Sequence, residues 1–199
     1  VKRVLDITFV ALGLILAAPV FLVIAILIRL DSRGGVFYRQ ERIGMGGRRF
    51  NLWKFRTMVD NADQILEDYL SSNPESLAEW NANFKIKLDP RITVCGHVLR
   101  KFSLDELPQL WNVLRGEMSL VGPRPIVGAE INKYGDGFEL YKHVRPGLTG
   151  LWQVSGRNNL DYAERLDLDE FYIRNRSLWL DISILARTVW VVLRQDGAY

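Results

Sequence analysis

The hydrophobic pattern opens on an uncharged, mostly apolar run from Ile7 to Ile28. About 20 apolar residues can cross a bilayer as a helix. This run is apolar on every face, which excludes an amphipathic surface helix. It is too long for the apolar part of a signal peptide, and Asp31 and Arg33 follow where small residues would mark cleavage. Pro19 falls near its middle. Its missing N–H, and its ring pressing on the Ile15 carbonyl, predict a kink or break. Each half then measures roughly 18 Å, short of a hydrocarbon core of ~30 Å. Both flanks are basic, with Lys2 and Arg3 before the run and Arg29, Arg33, Arg39 and Arg42 after it. Positive residues favour the cytoplasmic side, so a re-entrant hairpin with both flanks on that side fits the pattern. A kinked spanning helix and a buried core hairpin are the alternatives.

Beyond Arg29 the pattern becomes mixed. Residues 36–38 and 50–55 read as strands joined through Gly44-Met45-Gly46-Gly47, a hairpin signal. Residues 59–84 read as helical with a break near Asn73-Pro74. Asp60, Asp63, Glu67 and Asp68 give that stretch an acidic side, ordinarily a solvated helix face. A helix over Leu107–Leu114 ends at Gly116. Gly- and Pro-rich segments between Pro123 and Arg157 read as ordered loops, and 161–175 as helix. In 178–193, Trp179 and Trp190 alternate with apolar residues and with Arg187. That suits either a helix at the membrane–water boundary or a core helix.

Composition narrows the chemistry. The 199 residues carry a formal charge of +3 and are 48% hydrophobic, which excludes wholesale disorder and does not by itself imply nucleic acid. One cysteine, Cys95, excludes an internal disulfide, and two histidines leave few zinc options. No Walker loop, dinucleotide fingerprint, serine elbow or His-based metal motif is present.

The segment Ser103-Leu104-Asp105-Glu106-Leu107-Pro108 is the most informative. Ser103 and Glu106 have capping-box spacing, which makes a helix start at Ser103 one reading and a start at Asp105 another. Adjacent helical residues point roughly 100° apart, so one carboxylate could attack a phosphorus while the other holds a metal. A carboxylate approaching phosphate needs cations beside it. Arg100 and Lys101 lie upstream, and Lys54, Arg56 and Arg124 could fold in. Mg²⁺ is commonly held by one or two carboxylates plus substrate phosphates.

Several long motifs occur together and in order. They are Lys2-Arg3 and Asp6 before the proline-interrupted run, Lys54-Phe55-Arg56-Thr57-Met58, Ser103–Leu110, Met118-Ser119-Leu120-Val121-Gly122-Pro123-Arg124-Pro125, and Arg145–Arg157. Across nearly the whole chain they resemble the bacterial sugar transferases known as monotopic phosphoglycosyl transferases. Residues 60–88 and the ending after Val192 are similar to the undecaprenyl-phosphate galactose phosphotransferase branch. Members of that branch carry further N-terminal membrane helices and another domain, which would account for a start at Val1 rather than Met.

The resemblance implies a mostly helical α+β fold, with a re-entrant membrane helix over 1–33 and a catalytic domain over 34–199 resting on amphipathic interfacial helices. It implies location at the cytoplasmic face of a bacterial inner membrane. The implied reaction moves a sugar-1-phosphate, with galactose favoured, from a UDP-sugar to undecaprenyl phosphate and releases UMP. It opens the membrane stage of O-antigen, capsule or exopolysaccharide synthesis. Asp105 would be the nucleophile of a phosphosugar–aspartyl intermediate, and Glu106 with Asp105 would hold Mg²⁺. Lys54, Arg100 and Arg124 would bind phosphate, with Arg145 and Arg157 as further phosphate contacts. Membrane lipid and a second copy of the chain are implied partners; nucleic acid is not. Ala18 stands where many relatives have serine before the proline. The competing reading is a non-catalytic lipid-binding or scaffold module, with the carboxylate pair only starting a helix.

Overall fold

The apolar run folds into α1 (Lys2–Asp31) in a computed structural model that describes residues 1–83, 86, 89–156 and 160–194. The helix does not stop at Pro19, which lies inside it. The missing N–H removes one intrahelical bond, and the apolar residues on either side keep the remainder. One side of α1 packs on the body at two separate places. Val10 and Leu14 join a core with Leu52, Leu110, Val113 and Met118, while Phe21, Ile24 and Ile28 meet Phe55 and Leu99. Between them Ile15, Leu16 and Val20 are exposed.

Both ends of α1 are tied down. Lys2 Nζ lies 2.6 Å from the Asp181 carboxylate, and Arg3 donates to the carbonyls of Val113 and Leu114. Buried Asp6 accepts from the Ser119 hydroxyl at 2.7 Å and the Leu120 N–H at 3.2 Å. At the far end Asp31 accepts from the Cys95 N–H at 2.8 Å. Arg56 grips the Ser32 carbonyl and hydroxyl and the Arg33 carbonyl.

Strands β1 (Phe37–Ile43) and β2 (Arg49–Phe55) form the antiparallel hairpin that the glycine turn predicts, β1 running on past the expected 36–38 to Ile43, with Phe37 opposite Phe55 and Ile43 opposite Arg49. Helices α2 (Ala62–Ser72) and α3 (Pro74–Asn83) meet at the expected break, and the acidic positions of α2 are exposed. Next come α4 (Val94–Lys101), α5 (Gln109–Arg115) and β3 (Ser119–Val121). The Gly- and Pro-rich region then forms α6 (Ile131–Tyr134), α7 (Gly137–Tyr141) and β4 (Gly147–Thr149), with β4 pairing parallel to β3. Helices α8 (Tyr162–Asn175) and α9 (Leu178–Arg194) close the chain within a residue of the predicted spans. Asp161 and Glu164 form a reciprocal capping box at the start of α8.

On α9, Asp181 and Ile184 are buried, whereas Trp179, Ile182, Val189, Trp190 and Leu193 are exposed. Its apolar outer face and the exposed middle of α1 are large apolar surfaces of the kind that meet lipid or another macromolecule.

Candidate active site

The carboxylate pair does not open an α-helix. Leu104–Glu106 form one 3₁₀ turn, and α5 begins only at Gln109, after Pro108. The side chain of Ser103 makes no capping bond, so the capping box allowed by the spacing does not form. Ser103 instead takes a left-handed conformation with φ 55°. Among the described residues it is the one non-glycine with positive φ. That conformation costs on the order of 1 kcal/mol for a residue with a Cβ. It separates the end of α4 from the turn that carries Asp105.

Lys54, from β2, lies between the two carboxylates. Its Nζ is 2.7 Å from Glu106 Oε1 and 3.9 Å from Asp105 Oδ2. Asp105 is buried, while a third of the Glu106 side chain reaches solvent. The two titrate differently. Burial pushes the Asp105 carboxyl up to about 6, against Lys54 and with help from the neighbouring Glu106 charge. Burial also acts upward on Glu106, but the Lys54 ammonium, with Arg124 and Gln109, more than offsets it and leaves that carboxyl below its ordinary value. Glu106 is therefore the firm anion, and Asp105 the less solvated, more basic one.

The predicted cations converge in part. Arg100, on α4, is half-buried, feels the Asp105 charge, and donates through Nε to the Thr57 hydroxyl at 2.9 Å. Gly96 makes that placement possible. A Cβ there would collide with the Thr57 carbonyl, so only glycine lets α4 lie this close to the end of β2. Arg124 acts on Glu106 from the loop after β3, and its Nη1 bonds Glu130 at 2.9 Å. Pro123, fully buried, fixes that loop, while Asp169 accepts from the Arg124 N–H at 3.4 Å and the Tyr134 hydroxyl at 3.1 Å. Burial pushes the Asp169 carboxyl up to about 7.

Other placements differ from the sequence reading. Arg56 serves the exit of α1. Arg145 donates through Nε to the Gly116 carbonyl at 2.8 Å and lines a separate cavity with Lys2 and Arg3. Arg157 lies outside the described residues. Sequence reasoning missed Arg42, a buried guanidinium near Arg124 and Glu106 that donates to the Pro125 carbonyl at 3.2 Å. It also missed Thr57, whose place in the Lys54–Met58 motif was an available signal.

As a donor set, the turn offers two adjacent carboxylates, with Lys54 neutralising part of their charge. Two hard oxygen donors fit a Mg²⁺ ion whose other ligands are phosphate oxygens and water. Chemically the arrangement offers a basic carboxylate, an anionic partner and cations on several sides, which suits charge developing on a phosphoryl group.

Comparison with known proteins gives a consistent result. The sequence pattern describing bacterial sugar transferases matches residues 1–195. An uncharacterized sugar transferase of Haemophilus influenzae is 52% identical over 198 residues, covering 100% of this chain and 42% of that protein. The undecaprenyl-phosphate galactose phosphotransferase of Salmonella typhimurium is 49% identical, covering 100% of this chain and 41% of that protein. The exopolysaccharide production protein ExoY of Rhizobium meliloti is 47% identical, covering 100% of this chain and 88% of that protein. The chain thus spans about two-fifths of the first two relatives' length.

Proposed function

Because the chain belongs to the bacterial sugar transferase family, we propose that it moves a sugar-1-phosphate from a UDP-sugar to undecaprenyl phosphate, with Asp105 as nucleophile. The observation that carries this reading is a buried, basic Asp105 beside a firmly anionic Glu106, with Lys54 bridging the two. An Asp105 oxygen attacks the sugar-bearing β-phosphorus. A P–O bond forms to the carboxylate, and the bond from that phosphorus to the bridging oxygen breaks. UMP leaves with the electron pair. A phosphate oxygen of undecaprenyl phosphate then attacks the same phosphorus and expels the carboxylate. Two displacements through a carboxylate replace one difficult step. Lys54, Arg100 and Arg124 offset the charge of two anionic substrates, and Asp105 and Glu106 would hold Mg²⁺, which adds charge neutralisation when bound. Galactose is the favoured sugar by similarity to the Salmonella relative.

The test is intact-protein mass after incubation with UDP-galactose and Mg²⁺ without lipid acceptor. A hexose-phosphate increment that undecaprenyl phosphate clears, with UMP as the nucleotide product, is the expected result. UDP as product would mean that the sugar moves without its phosphate and would overturn the proposal.

The same reading makes α1 a re-entrant element. Its ends are fastened to one body, through Asp6 and Ser119 at one end and Asp31 and Cys95 at the other. A straight 30-residue helix is about 45 Å long and would set those ends on opposite faces of a bilayer. A body held at both ends favours a helix that bends into one leaflet, with the exposed Ile15–Val20 stretch and Pro19 deepest. The exposed apolar face of α9 then rests at the boundary. Single cysteines at Val1 and Arg33, in a Cys95→Ser background, should label from the same side with a membrane-impermeant maleimide. Labelling from opposite sides would establish a spanning helix.

A further inference from the structure

A cavity of about 370 Å³, with charged groups set in a largely apolar lining, lies where α1 and α9 begin. It shares no residue with the Asp105–Glu106 turn. Lys2, Arg3, Arg145 and Arg176 line it against two carboxylates, Asp6 and Asp181, a surplus of two positive charges. The carboxylates are already engaged. Asp181 accepts from Lys2 and from the Tyr172 hydroxyl at 2.7 Å, and Asp6 accepts from Ser119 and Leu120. Arg3 and Arg145 donate to backbone carbonyls, which orient a guanidinium without neutralising it. Among the described residues, no carboxylate lies within ion-pair distance of Arg3, Arg145 or Arg176. Three uncompensated guanidiniums around one cavity match a phosphate group, whose oxygens accept their forked donors.

The cavity's position identifies the source of that phosphate. The Lys2–Asp181 pair holds the first turns of α1 and α9 together. Both helices leave this point with exposed apolar residues, Val4 on α1 and Trp179, at 80% exposure, on α9. Basic groups at the start of apolar helices lie at the level of lipid headgroups. We infer that the cavity between Arg3, Arg145 and Arg176 binds the phosphate of an anionic membrane lipid, at a site separate from the carboxylate pair. The inference rests on the membrane-bound reading of α1 and α9, but not on the chemistry at Asp105. Bound there, the lipid would join the first turns of α1 and α9 and fix the height of the body above the membrane.

The test uses the full chain in two steps. Flotation with phosphatidylcholine vesicles first checks membrane binding, so failure of that reading is seen separately. Native mass spectrometry of the detergent-solubilised protein with added phosphatidylglycerol or phosphatidylcholine then counts retained lipid. Wild type and the charge control Arg39→Gln should each retain one phosphatidylglycerol in preference to phosphatidylcholine. Retention should weaken at least about tenfold in Arg176→Gln, and further in Arg145→Gln/Arg176→Gln, as charged hydrogen bonds are lost. Arg176 is exposed, so the single variant keeps the test independent of any folding defect from Arg145. Equal retention by wild type and Arg176→Gln would overturn the inference. Displacement of the lipid by millimolar inorganic phosphate would assign the cavity to a free phosphate and overturn the lipid source.

Discussion

Replacing Asp105 by Asn is expected to reduce turnover at least about 10³-fold while leaving the fold intact, because a covalent nucleophile is not replaced by the rest of its site. Asn matches Asp in shape, so packing under the turn is kept. The lost ionic contact is the looser of the two Lys54 makes, 3.9 Å against 2.7 Å to Glu106. Removing one of two adjacent negative charges also relieves burial and repulsion, the forces that push Asp105 up to about 6. The melting temperature should therefore stay level or rise. The adduct formed from UDP-galactose should vanish in the variant. In wild type, adduct formation should fall as pH drops below about 6, because a protonated carboxyl is a poor nucleophile, and should level off above it. Cations bound beside Asp105 move that midpoint down, so a midpoint well above 6 would point to another group. Wild-type turnover in Asp105→Asn would remove Asp105 from the chemistry.

How much of this was legible depended on how local each signal is. The β1–β2 hairpin follows from a glycine turn between short apolar strands, and the end of α5 from Gly116, which is left-handed with φ 82°. Helix α4 went unread because its eight residues, with Gly96 among them, give too short a periodic window, although Thr93 caps it through the Gly96 N–H. Of the kink or break expected at Pro19, the break does not occur: α1 runs on through the proline. A proline's cost is local, whereas two packing sites hold the helix along its length. At the site, charge logic brought Lys54, Arg100 and Arg124 together with the carboxylates. It could not separate Arg56 from them, nor could the resemblance separate Arg145, since only the long-range fold sends these two to the exit of α1 and to the cavity beside Lys2 and Arg3. Arg42 and Asp169 carry no motif and became visible only through their neighbours.

The same long-range logic makes Asn112→Ala the most damaging structural change to expect, at about 3 kcal/mol or more of lost stability. Asn112 is fully buried on α5. Its Nδ2 donates to the Asn51 carbonyl at 2.7 Å and to Glu117 Oε2 at 2.6 Å, and its Oδ1 accepts from the Trp53 N–H at 3.1 Å. One side chain thus serves two backbone groups of β2, as a neighbouring strand would. Alanine leaves both groups without their partner, at about 1–3 kcal/mol each, and opens a small void besides. Asn112→Asp should be no milder, because it keeps the acceptor for Trp53 but sets a carboxylate against the Asn51 carbonyl and Glu117. The effect should reach the chemistry as well, since β2 carries Lys54 and α5 continues from the turn that carries Glu106. Loosening that junction loosens the 2.7 Å Lys54–Glu106 contact. Denaturant unfolding in detergent micelles would read the stability loss. Turnover measured where the variant is still folded should also fall, through a weaker hold on the donor's phosphates. A loss under about 1 kcal/mol would mean that water takes over the bonds to β2 and that the junction is held by apolar packing of Leu110 and Val113 instead.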